Sequence, residues 1–279
     1  MPSRAGLAAT IRLTFAAFRR HNASRFGAAL AFYIVFSITP MLLIAIGIVG
    51  SILGRARAER VLLAWIGSSF GAATGNAIAS MIKAAVFWQA GWLATILGFS
   101  SLYFGLAGVY RQINDALQTI WRGKTDERVG VIISAKHTLA SILLVSVTGV
   151  VVMTAVIADG AIAVTASYAA MRLAGGIWMV RAVQLTASAI ILTVLFAIVF
   201  RVLAQQRVTW RDASPGAVVT AVLFVIGKFA LGVYLTKAAV GSPFGAAGSI
   251  VVVLLWSYWS AEIFFVGLEF THVYARQDD

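Results

Sequence analysis

Residues 248–272 read GSIVVVLLWSYWSAEIFFVGLEFTH, predominantly apolar on every face of a helix, with Glu262 and Glu269 the two carboxylates in it. A helix that is hydrophobic all round lies in a large core or in a membrane. At 1.5 Å per residue this run also covers a hydrocarbon layer about 30 Å thick. The same reading applies to residues 27–53, 91–111, 138–158, 182–203 and 215–237. The pattern predicts an all-α polytopic membrane protein with six transmembrane helices plus interfacial helices.

Composition points the same way. Hydrophobic residues make up 61% of the chain and charged residues 11%, whereas a soluble domain is about half apolar and about a quarter charged. The net charge of +12 fits Lys and Arg gathered at cytoplasmic helix ends beside anionic lipid. No basic run is interleaved with aromatics as a nucleic-acid reader requires, so nucleic acid is not an expected partner and membrane lipids are. With no Cys, disulfides, thiolate nucleophiles and Cys-based metal sites are excluded.

The expected organisation is a cytoplasmic N-terminal segment 1–26, a six-helix domain 27–274 with an outer-interface helical segment 55–88, and a tail 275–279. In the first segment Leu7, Ile11, Phe15 and Phe18 recur at helical spacing, with Arg12, Arg19 and Arg20 largely elsewhere around the helix. That is an interfacial helix rather than a signal peptide, since a long basic stretch precedes an apolar run too long for an h-region. With the N-terminus inside, the cytoplasmic connections hold about twice as many Lys and Arg as the opposite side, despite Arg55, Arg57 and Arg60 there. Both termini are therefore expected in the cytoplasm.

Local chemistry adds detail. Pro40 removes a backbone bond inside the first span and should kink it, with Ser37 one turn earlier able to satisfy a freed group. Asp212 or Ser214 can cap the fifth span, with Pro215 in its first turn. Between the first two spans, one or two helices are expected at the outer interface. Gly67, Gly71 and Gly75 form a small-residue stripe there, which would permit close helix approach within the chain or in a homo-oligomer.

Charges inside the membrane need a partner or a purpose, because each costs about 2.5–3.5 kcal/mol on insertion. Lys228 and Glu262 fall roughly 20 Å and 15 Å from the cytoplasmic side, so they could pair. Lys228 could otherwise snorkel, with Glu262 bonded to a neighbouring helix. Glu269, on the same face as Glu262 but nearer the interface, is either an anchor or the end of a polar path through Lys228 and Glu262. The loop 241–248, with Gly241, Ser242, Gly245 and Gly248, opens the last helix as a tight turn or as an anion and head-group site. The Trp and Tyr residues at 88, 92, 178, 234, 256 and 258 include several near expected interfaces, and such residues more often anchor helices than bind ligand.

Three stretches carry a family resemblance. FGAALAFYIVFSITPMLLI, DALQTIWRG and PFGAAGSIVVVLLWSYWSAEIFFVGLEFTHVYAR are similar to the opening helix, the end of the second span and the last span of the YihY/BrkB membrane proteins. Gln118 stands where that family's pattern has Asn. The resemblance covers nearly the whole chain and implies a six-helix bacterial inner-membrane protein with its N-terminus inside. Members have been linked to virulence or serum resistance, proposed as transporters of lipid-like or other solutes, and once labelled ribonuclease BN.

The residues argue against that label. A two-metal nuclease needs clustered His and carboxylates. The His residues lie at 21, 137 and 272, none at ligand spacing from another, and the adjacent acidic pairs fall at Asp126 with Glu127 and at Asp278 with Asp279. No catalytic, metal or cofactor site is expected. The leading expectation is a transporter-like protein handling a lipid-like or anionic solute. The competing one is a membrane scaffold or envelope-integrity factor in which the charges only fasten helices.

Overall fold

The computed structural model describes residues 6–87, 92–121, 177–203, 209–238 and 248–276. Among these residues the chain is helical and has no strand. In order the helices are α1 (Leu7–Arg20), α2 (Ala23–Leu53), α3 (Arg55–Phe70), α4 (Ala72–Phe87), α5 (Trp92–Trp121), α6 (Ile177–Leu203), α7 (Trp210–Ala238) and α8 (Gly248–Ala275). Five of the predicted spans fall on α2, α5, α6, α7 and α8, while 138–158 lies outside the described residues. Three stretches among the described residues are long and apolar enough to cross a membrane: Ala23–Ser51, Trp210–Leu235 and Gly248–Ala275. The apolar stretch of α6, Thr186–Arg201, is shorter.

Two compact groups of residues make up the chain, one from Ala23–Asp115 and Ile226–Ile263, the other from Met1–Asn22, Ala116–Val225 and Phe264–Asp279. In the first group, α2 packs on α5 through small residues. A Cβ on Gly105 would come within 2.6 Å of Ser37 Cβ and 3.0 Å of Tyr33 O, and one on Gly108 would overlap the Tyr33 ring. Pro40 lies inside α2 and has no N–H for the carbonyl of Phe36, four residues earlier. That carbonyl accepts a hydrogen bond from Ser101 Oγ on α5 at 2.7 Å. Ser37, expected to serve the proline, instead donates to Ile34 O at 3.1 Å. The difference has a simple origin: a serine within a helix reaches carbonyls three or four residues before it, not the one immediately before.

The predicted segment 55–88 holds α3 and α4, joined through Gly71 at φ +91°. Gly54, at φ +83°, makes the turn before α3. These are backbone conformations that glycine adopts without steric cost. Gly71 therefore breaks the expected stripe on one helix. Gly67 and Gly75 meet instead across the turn, where a Cβ on Gly75 would lie 3.0 Å from Gly67 Cα. The three glycines close a hairpin within the chain. Its α3 end is held by Trp256, whose Nε1 donates to Phe70 O at 3.2 Å and whose ring meets Phe70 edge-on at 4.9 Å. Trp256 is thus buried against protein, not an interface anchor.

In the second group an aromatic core of Phe196, Phe200, Phe224 and Phe264 joins α6, α7 and α8. Beside it α7 and α8 interlock reciprocally. A Cβ on Gly216 would overlap Thr271 Oγ1, and one on Gly267 would overlap Thr220 Oγ1. Each threonine bonds back to the glycine four residues before it: Thr220 Oγ1 to Gly216 O at 2.6 Å and Thr271 Oγ1 to Gly267 O at 2.9 Å. Both hydroxyls are thereby satisfied inside the contact.

α7 begins earlier than its apolar pattern. Thr209 precedes it, with its N–H and Oγ1 donating to Asp212 Oδ2 at 3.2 and 2.5 Å. Pro215 consequently sits inside the helix rather than in the expected first turn. The carbonyl it leaves without a backbone donor, Arg211 O, accepts from Ser214 Oγ at 3.4 Å.

Candidate functional site

α1 presents its small residues to the protein. Thr10, Thr14 and Ala17 are buried, whereas Ile11 and Phe15 are exposed. Positions 10, 14, 17 and 21 share one helical face, so His21, which follows the last turn, continues the packed side. Its N–H bonds to Ala17 O at 2.9 Å. Asn22 then reverses the chain into α2 at φ +52°, a left-handed conformation that Asn tolerates better than most residues.

His21 Nδ1 lies 2.6 Å from Glu269 Oε1, across 248 positions of sequence. The Glu269 side chain is 0% exposed and that of His21 20%. An ionised carboxylate only accepts, so Nδ1 carries the proton in that state. His272, one turn after Glu269, stacks on Trp121 at 5.2 Å and on His21 at 6.4 Å. Arg20 acts electrostatically on Glu269, and Arg276 on His272. Two buried atoms of this cluster, Glu269 Oε2 and His272 Nδ1, have no hydrogen-bond partner among the described residues.

Glu269 is therefore a wholly buried group with an imidazole partner and not an exposed interfacial anchor. Sequence reading missed His21 and His272, because nothing in their spacing shows that the N-terminal helix returns to the last one. Their separation in sequence suggested histidines far apart; the fold stacks them. Among the described residues no three His, Asp or Glu side chains are arranged to hold a metal ion.

The other intramembrane carboxylate has a different setting. Glu262 Oε2 accepts from Ser24 Oγ at 3.3 Å, its Oε1 has no hydrogen-bond partner among the described residues, and a Cβ on Gly27 would stand 2.9 Å from Oε1. The expected ion pair with Lys228 does not form: Glu262 bonds to Ser24 instead. The reason is rotational. Gly227 is the residue of α7 that faces α8, where its Cβ would meet Trp259 Nε1 and Ile263 Cδ1 at 2.6 Å. Lys228, the next residue, is turned about 100° from that contact. Of the predicted head-group loop, Gly241, Ser242 and Gly245 lie outside the described residues. Gly248 opens α8.

Outward side chains complete the picture. Val218, Val222, Ile226 and Phe229 form a stripe along α7, Phe229 being 76% exposed, and Phe32, Phe36, Ile44 and Ile48 are exposed on α2. Long apolar helices with apolar residues outside and hydrogen-bonded polar groups at their contacts define a helical integral membrane protein. The chain belongs to the Virulence factor BrkB family, whose model matches residues 14–279. It is 27% identical over 235 residues to a UPF0761 membrane protein of Stenotrophomonas maltophilia, an alignment covering 83% of this chain and 52% of that protein. A UPF0761 membrane protein of Yersinia pestis is 36% identical over 77 residues, covering 27% of this chain and 26% of the relative. The chain thus spans about half the length of the first of these relatives. No solved structure matches it.

Proposed function

We propose that this chain is a non-enzymatic, transporter-like protein of a bacterial inner membrane that moves or handles a lipid-like or other amphipathic, anionic solute. Its α1 and the residues after α8 lie on the cytoplasmic side, where Arg12, Arg19 and Arg20, with no acidic residue in α1, favour anionic head groups. The observation that carries the reading is Glu269: fully buried in an apolar helix, one oxygen on His21 and the other without a hydrogen-bond partner among the described residues. Intramembrane ionisable groups are expensive and mark ion and solute pathways.

One observation favours a second reading, an envelope-integrity scaffold. The reciprocal contact of Gly216 with Thr271 and Gly267 with Thr220 fastens α7 to α8 and suits a static support. Reconstitution into liposomes with fluorescent phospholipids and small organic anions separates the two. Transport predicts flux by the native chain, a loss in Glu269→Gln and retention in Lys228→Ala. Equal passage through protein-free and protein-containing vesicles would favour the scaffold.

A further inference from the structure

His21 links water to a buried carboxyl. It is 20% exposed, and its Nδ1 lies 2.6 Å from the fully buried Glu269. Beyond that contact, Glu269 Oε2 and His272 Nδ1 are buried with no hydrogen-bond partner among the described residues. The two residues stand three apart on α8 and so share a face. A buried polar atom left unpaired costs about 1–3 kcal/mol, and the Glu269 oxygen left so, on a side chain that His21 joins to water, points to a group that the pair can take up. A proton fits their chemistry. Imidazole gives or takes one near neutral pH, and a carboxylate accepts one on either oxygen. Stacking against Trp121 and His21 fixes the His272 ring.

We propose that His21 and Glu269 form a proton relay: His21 exchanges protons with water and passes them to the buried Glu269 carboxylate. In the first step water delivers a proton to His21 Nε2 while the Nδ1–H bond breaks and an O–H bond forms on Glu269 Oε1. His21 is left neutral with its proton on Nε2. In the return step the carboxyl gives its Oε1 proton back to His21 Nδ1 while His21 Nε2 loses one to water, which restores the starting state. Arg20 on α1 and Arg276 after α8 face the cluster as fixed cations that release no proton. Trp121, on α5, does not titrate. The relay would supply the coupling ion for the transport proposed above, and its use, though not its existence, rests on that reading.

Infrared difference spectroscopy after a jump from alkaline to acidic buffer tests this on the full chain in lipid nanodiscs. The native protein should develop the C=O band of a carboxyl protonated away from water. Glu269→Gln should lack it. His21→Gln should keep its final amplitude but develop it about tenfold or more slowly, a rate effect that a merely structural His21 would not produce. A band unchanged in Glu269→Gln, or one rising at the native rate in His21→Gln, overturns the relay. Should Glu269→Gln fail to fold, the His21→Gln rate decides. No solute flux in liposomes, with the infrared behaviour as expected, would overturn the transport reading and leave the relay standing.

Discussion

Ser101 of α5 donates its Oγ hydrogen to the carbonyl of Phe36 on α2 at 2.7 Å, supplying the bond that Pro40 cannot. Within a bilayer no water is available to that carbonyl, so a neighbouring helix completes the backbone of α2. Ser101→Ala should destabilise the protein by about 1–3 kcal/mol, read from unfolding in mixed micelles. In a Pro40→Ala background residue 40 regains its own N–H, and the cost of losing Ser101 should largely disappear. An undiminished cost there would show that Ser101 acts by packing alone.

The interlock of α7 and α8 is sensitive to a single methyl group. Gly216→Ala and Gly267→Ala each force a Cβ onto a threonine hydroxyl and should cost about 1–3 kcal/mol through overpacking. Gly47→Ala, where nothing lies within 4 Å, should change stability by less than about 0.5 kcal/mol. Gly267→Ala combined with Thr220→Ala should recover part of the loss. Thermal melts of the purified variants in detergent compare the four.

His21 ties α1 to the last helix. Thr14→Cys should be shielded from a thiol reagent, as Thr14 is 2% exposed, whereas Phe15→Cys should react, as Phe15 is 57% exposed. Adding His21→Ala should raise the labelling of Thr14→Cys several-fold and leave that of Phe15→Cys unchanged. The native chain has no Cys, so every signal comes from the introduced thiol. Thr14→Cys as reactive as Phe15→Cys before His21 is altered would mean that α1 does not dock as described.

Lys228 and Glu262 should be energetically independent. A double-mutant cycle of Lys228→Ala with Glu262→Gln is expected to give a coupling below about 0.5 kcal/mol, as for residues without direct contact. Coupling several times larger would restore the ion pair that the orientation of Gly227 excludes.

Orientation can be read with the same reagents in intact and opened cells. Gly241→Cys should be labelled from the outer side, and a Cys placed at Phe15 only after the cytoplasmic face is opened. Labelling of residue 241 from the cytoplasm alone would reverse the proposed topology.

The sequence by itself determined that this chain builds apolar helices for a membrane, where prolines interrupt their hydrogen bonding, and that Glu262 and Glu269 need an explanation. Those conclusions follow from composition and helical period, which are properties of neighbouring residues. Only the tertiary structure decided which group answers each need: Ser101 for the carbonyl freed by Pro40, Ser24 for Glu262, and His21 for Glu269. Partners separated by up to 248 positions leave no periodic trace, because a hydrogen bond between helices depends on how each helix is rotated about its axis. One step of about 100° turned Gly227 toward α8 and Lys228 away from it. The carboxylate predicted to be an interfacial anchor or the end of a polar path therefore lies fully buried against a histidine of the first helix.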